Sequence, residues 1–305
     1  QWIPFEIELW YRGKNNTART LQKIQQNITS QGGRIFGTPV CINEIWFLAL
    51  KVEFPPSIVS QWLQSLNTDD LEIPPTLSIQ DIRYFRPIGC SVQANPGRDP
   101  CATEGSEMRS KEPYVAVLDG LPLEHHKILE GHLAIDDPDD FANAYSSPQE
   151  QIHGTSICSL VLYGDLNAQT PLTHPVYCRP ILQPDPKAQS FNIHTEIIPQ
   201  EVFAEDLVHR AVRRMFEKEG DLPPAAPSVK IINLSVADNT KPFDRQISSW
   251  GRLLDWLSYK YRVLFLVAAG NQKPIEVPNF LPKDLALLPE SDRVERTLKA
   301  LATDT

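Results

Sequence analysis

Hydrophobic and polar positions change period along the chain, and the changes mark its elements. In PFEIELWYR, Phe5, Ile7 and Leu9 alternate with polar residues, which predicts a strand with one buried face. Asn15-Asn16-Thr17 offers a helix cap, and Ala18, Leu21, Ile24 and Ile28 then recur at helical spacing until Gly32-Gly33 ends the run. Two strand-like runs follow, RIFGTPVCI and EIWFLALKVE. Pro55-Pro56 opens a second helix with Ile58, Trp62 and Leu66 facing in, and LSIQDIRYFRP reads as a further strand.

That order, βαββαβ over residues 1–89, predicts a small ferredoxin-like α+β domain. Residues 90–112, CSVQANPGRDPCATEGSEMRSKE with the cysteine first, are nearly free of apolar side chains and read as a linker. From residue 113 to 305 strand and helix patterns alternate. YVAVLD, VYCRPILQ, VKIINLSVA and YRVLFLVAAGN are apolar on both faces, as buried strands are. Between them lie a helix starting after Gly154, a long one over EVFAEDLVHRAVRRMFEKEG, and one carrying Ile247, Trp250, Leu253, Leu254 and Leu257. This predicts an α/β domain: a parallel sheet with helices on both faces, whose functional groups collect at the carboxyl ends of the strands.

Charge and cysteine content narrow the class. The net charge of -9 is spread along the chain, which excludes a nucleic-acid footprint. No apolar run reaches the roughly 20 residues a bilayer span requires, so no membrane role is expected. Five cysteines, Cys41, Cys90, Cys101, Cys158 and Cys178, show no paired spacing and no CxxC, which suits free thiols and a reducing, cytoplasmic location without a metal site. The chain begins with Gln and lacks a signal peptide's basic flank and apolar core.

Three short stretches carry candidate chemistry. VAVLDG puts Asp119 at a strand end, QIHGTS puts His153 at a helix start, and VLFLVAAGN puts Asn271 at another strand end. Taken singly, Asp119 reads as a helix cap, His153 as a structural histidine and Asn271 as a turn residue. Their joint order over Tyr114 to Asn271 resembles the subtilisin-like serine peptidases, the subtilase family. Asp119 and His153 are 34 residues apart, close to the roughly 30 of the family's template.

The resemblance implies roles. Asp119 would be the buried carboxylate that orients the imidazole, and His153 the general base and then acid. Asn271 would donate its amide to the oxyanion, a contact worth roughly 3–4 kcal/mol in a subtilisin, the enzyme in which it was measured. Ser235, Val236 and Ala237, in IINLSVAD, would offer backbone groups to an extended polypeptide substrate. The family's nucleophilic serine belongs to a Gly-Thr-Ser segment roughly 65 residues beyond the asparagine, past Thr305. The sole GTS, Gly154-Thr155-Ser156, belongs to the histidine motif, and Ser235, Ser248, Ser249, Ser258 and Ser291 lack the flanking pattern.

Three explanations stay open at this point: a truncated peptidase domain, a second chain carrying the serine half, or an inactive scaffold kept for binding or regulation. The amphipathic end LPESDRVERTLKALATDT favours truncation. Residues 1–89 would be either a propeptide-like domain, with IRYFRPIGC as its tail, or a permanent docking domain. The resemblance also brings calcium and, for some bacterial relatives, a partner ATPase; no residue here points to the ATPase. Asp136, Asp137, Asp139 and Asp140 in AIDDPDDF read as a solvated turn, and His125-His126 as an exposed pair. A phosphotransferase reading of VAVLDG fails for want of a second acid beside Asp119, where Gly120, Leu121 and Pro122 follow.

Overall fold

The computed structural model describes residues 2–66, 74, 76, 78–88, 91–93, 110–164, 172–189, 195–236, 247–268, 277 and 282–303. Its first part comprises β1 (Ile3–Trp10), α1 (Lys14–Ser30), β2 (Arg34–Ile42), β3 (Phe47–Phe54), α2 (Pro56–Leu66) and β4 (Ile82–Pro87). The strands form an antiparallel sheet in the order β2-β3-β1-β4, with β1 pairing both β3 and β4. This is the arrangement that the βαββαβ pattern predicts. Strand alternation sorts the side chains. Ile7, Leu9, Leu48, Leu50, Val52 and Phe54 pack with Ile24 and Ile28 of α1. The opposite face carries Phe47, Ala49, Glu8 and Lys51, all buried.

The start of α1 differs from the sequence expectation. The helix begins at Lys14 behind Gly13, whose φ is 89°, and no side chain caps it. Asn16 and Thr17 instead donate back to the carbonyls of Arg12 and Gly13.

The second part runs through β5 (Ser91–Gln93), β6 (Val115–Asp119), β7 (Leu133–Ile135), α3 (Ile152–Tyr163), β8 (Val176–Pro180), β9 (Gln183–Pro184), α4 (Pro186–Gln189), β10 (Thr195–Ile197), α5 (Ala204–Phe216), β11 (Ile231–Leu234), α6 (Ser249–Tyr261), β12 (Leu264–Val267), α7 (Pro282–Leu285) and α8 (Glu290–Thr303). Five of these strands make a parallel sheet in the order β12-β11-β6-β8-β7. Val117, Val176 and Cys178 face α3 through Cys158 and Leu162. Ala116, Leu118, Tyr177, Ile232 and Leu234 face α5 and α6 through Leu207, Val208, Ala211 and Leu253. Helices therefore cover both faces, and the central strand β6 ends at Asp119. Acidic residues in the first turn of α5 and arginines in its last turn complement its dipole.

The two sheets meet across α5 and α6. Ile42, Ile45, Phe47 and Ala49 belong to the same buried cluster as those helices, and the rings of Phe47 and Phe203 lie edge to face at 5.9 Å. Arg252 of α6 reaches Glu8 at 2.9 Å and the Ile45 carbonyl at 3.1 Å. Lys51 donates to the carbonyls of Gln200 and Val202, at 2.7 and 2.8 Å.

Three further features depart from the sequence reading. Within the expected linker, Ser91–Gln93 forms β5, which pairs with β10 and so joins a three-stranded antiparallel sheet, β5-β10-β9. Backbone pairing needs no apolar residues, so the polar composition did not disclose it. The helix of QIHGTS begins before His153 rather than after Gly154, because the Ser147/Glu150 capping box builds a 3-10 turn leading into it. Strand β12 was expected to be buried on both faces, yet Leu264, Leu266 and Val267 are about half exposed. It lies at the sheet edge, with β11 as its neighbour on one side and no strand on the other among the described residues. No described helix is long and apolar enough to cross a membrane.

Candidate active site

Asp119 and His153 meet at the carboxyl end of the parallel sheet. The strand carries Asp119 inward until it is 1% exposed, and its Oδ1 stands 2.8 Å from Nδ1 of His153. The same oxygen accepts the backbone N–H of Gly120 at 2.6 Å. With Nδ1 engaged, the Nε2 face of the ring is left for a reacting group. Burial alone would pull the imidazole pKa down. The hydrogen bond and charge of Asp119, with the charge of Glu196 added, outweigh burial and hold it above the usual histidine value.

The local sequence explains why these two side chains meet. A Cβ on Gly154 would strike the Gly120 carbonyl, so a glycine there lets the first turn of α3 rest directly on the strand end. Thr155 fastens the same junction: its hydroxyl donates to the Gln151 carbonyl at 2.6 Å and accepts from Leu123 N–H at 2.9 Å. The HGT triplet thus places the ring, spares the space and anchors the loop that follows Asp119. Ser156, one residue on, is exposed on α3, away from this junction.

The other expected site residues fall differently. Ser235 lies one step beyond the paired residues Leu234 and Leu118, level with Asp119 at the sheet rim, and its hydroxyl accepts from Asn233 Nδ2 at 2.6 Å. Val236 is fully buried. Ala237 and Asn271 lie outside the described residues. In the acidic run, Asp139 pairs with Arg179 and Arg210, and Asp136 accepts the Tyr177 hydroxyl. Asp137 caps Phe141 and Ala142, and Asp140 accepts from Asn143. His125 is exposed and lies 3.9 Å from Glu130. Cys158 and Cys178, which show no paired spacing in the sequence, bring their sulfurs to 3.4 Å as buried free thiols.

One site residue was missed altogether. Glu196 of β10 is 2% exposed, and its carboxyl fills the space that a Cβ on Gly120 would occupy. Burial pushes its pKa up to about 7; the Tyr145 hydrogen bond opposes this and the Asp119 charge adds to it. The only signal in the sequence is a lone acid in the short apolar segment TEIIP. Asp119, His153 and Glu196 each bring one N or O atom to within 4.8 Å of the others. Asp119 Oδ1 and His153 Nδ1 are bonded to each other, and Glu196 Oε1 is bonded to Tyr145, so Glu196 stands beside the pair and acts on it through its charge. Beside it, a cleft of about 660 Å³ opens between Leu121, Leu123, His126, Ile135 and Gln151.

The profile of the subtilase family, Peptidase S8, matches residues 110–290, well over half of the 305 residues. No curated protein matches the chain.

Proposed function

The chain belongs to the subtilase family of peptidases, and on that premise we propose that it supplies the acid–base half of a serine endopeptidase that cleaves extended polypeptide by acyl transfer. The observation that carries this reading is the 2.8 Å contact between Asp119 Oδ1 and His153 Nδ1 at the rim of a parallel sheet. Asp119 fixes the tautomer with the proton on Nδ1. Nε2 then takes the proton of an attacking serine hydroxyl and returns it to the leaving amine. General acid–base transfer of this kind contributes roughly 10²–10⁴-fold to rate. Gly120 N–H keeps the carboxylate oriented while the ring gains its charge.

Asn271 serves as the oxyanion donor in this reading, and the backbone at Ser235, Val236 and Ala237 pairs with substrate. In this reading the nucleophile is assigned to no serine of residues 1–305: none carries the family's flanking pattern, and Ser156 is exposed on α3. Residues 1–89 form a domain docked on α5 and α6, supported by the shared apolar cluster and by the Arg252–Glu8 contact.

The test is a fluorophosphonate probe applied to the protein expressed with its downstream coding sequence. A serine in that downstream part becomes labelled, and His153→Ala abolishes the labelling. If no serine is labelled, the chain is a binding or regulatory module on a peptidase fold. Labelling indifferent to His153→Ala would remove the general-base role.

A further inference from the structure

We propose that Glu196 is a positioning residue of this site: its carboxyl, held beneath Gly120 by Tyr145, sets the charge that the His153 ring carries. The inference rests on the reading of His153 as general base and adds a fourth ionisable partner to it.

The packing shows that the carboxyl has a built place. Glu196 is 2% exposed, its strand lies between β5 and β9, and Gly120 lacks the side chain that would evict it. Tyr145 ties it to the strand end. The Tyr145 oxygen accepts Leu121 N–H at 3.0 Å, and its single proton faces two acceptors, the Leu182 carbonyl at 3.0 Å and Glu196 Oε1 at 2.5 Å. When Glu196 is ionised, the phenol proton goes to the carboxylate and the carbonyl loses it. When Glu196 is protonated, it donates to the Tyr145 oxygen and the phenol donates to Leu182, so the carbonyl regains its donor while Glu196 Oε2 stays without a partner. The network therefore has two hydrogen-bonded forms that differ by one proton.

The groups facing Glu196 are Asp119 from β6, His153 from α3, Glu150 from the 3-10 turn and Tyr145 from the turn before it. Two of these are carboxylates and one is a base. A second ionised carboxylate beside the ring favours its protonated form, while the Asp119 charge resists ionisation of Glu196. The charge on the ring and the charge on Glu196 are thus coupled: each alters the protonation of the other.

The experiment follows the His153 ring resonances by NMR through a pH titration of this chain, with His153→Gln used to assign them. The native protein is expected to titrate in two steps. Glu196→Gln is expected to give one step, with the midpoint lower by about one pH unit. Tyr145→Phe keeps the carboxyl but removes the bond that favours its charged form, so the midpoint falls by less. It supplies the answer should Glu196→Gln not fold. A single step with an unchanged midpoint in the variants overturns the proposal. This readout needs no nucleophilic serine, so it is separable from the fluorophosphonate result. In the protein carrying its serine, the acid limb of kcat/KM should move down by the same amount in Glu196→Gln. A rate lowered equally at all pH values would instead mark a merely structural residue.

Discussion

Gly154 lies flat against the carbonyl of Gly120, with no room for a methyl group between them. The first turn of α3 and the end of β6 therefore touch backbone to backbone, and this contact, more than any side chain, sets the separation of Asp119 and His153.

Gly154→Ala should open that contact. The helix start has to retreat from β6, and the ring moves with it. A displacement of about 1 Å in a reacting group costs roughly 10²-fold in rate, so probe labelling of the serine should slow by about that factor. The His153 resonances should move as well. Unchanged labelling would show that the junction tolerates a side chain.

Stability should fall as pH rises through the range where Glu196 titrates. Its folded pKa is about 7 against an ordinary 4.5, so between those values the folded chain holds a proton that the unfolded chain has released. The penalty is absent below 4.5 and complete above about 7. At 1.36 kcal/mol per unit it is on the order of 3 kcal/mol. His153 acts in the same sense: its folded value is raised, so its contribution is full below the unfolded 6.5 and is lost as pH passes the folded value. Urea unfolding at pH 5 and pH 8 checks this. Glu196→Gln should flatten the difference and be the more stable protein at pH 8.

The docking of the first sheet on α6 has a charged centre. The Glu8 side chain is fully buried and is shared by Arg83 at 3.2 Å, Arg86 at 3.8 Å and Arg252 at 2.9 Å. Of these only Arg252 comes from α6. Arg252→Ala should destabilise the protein by about 2–3 kcal/mol, somewhat below the usual loss from breaking a buried pair because two arginines remain. Lys260→Ala, which breaks an exposed pair with Glu217, should cost about 0–1 kcal/mol. Thermal melting ranks the two. Limited proteolysis should release the N-terminal sheet faster in Arg252→Ala alone.

The legible parts of this protein were those in which several residues had to agree. VAVLDG and HGTS each join a strand or helix signal to a residue of fixed chemistry, and their resemblance to the subtilase motifs is what pairs Asp119 with His153 in the sequence. The succession of strands and helices in both parts followed from the switch between period two and period 3.6, whereas the strand order of the parallel sheet was not legible in it. Glu196 could not be found in this way. It reaches the site on a three-residue strand held between the polar segment Ser91–Gln93 and the two-residue strand β9, and backbone pairing of that kind leaves no side-chain pattern. The misplaced burial of β12 has a related cause. A run such as LFLV has the same apolar content at an edge as in the middle of a sheet, and only the neighbouring strands decide its exposure. At α1 the asparagines looked like caps, but Gly13 reached the required backbone shape first.

The claim on which the rest depends is that Asp119 acts through His153 and not beside it. A double-mutant cycle on peptide hydrolysis, using Asp119→Asn, His153→Ala and the two combined in the protein carrying its serine, measures this directly. Asp119→Asn should lower kcat by roughly 10⁴-fold, and the combined variant should be no slower than His153→Ala alone, as groups working as one unit are. Losses that multiply in the combined variant would mean that the carboxylate and the ring contribute independently, and would contradict the account.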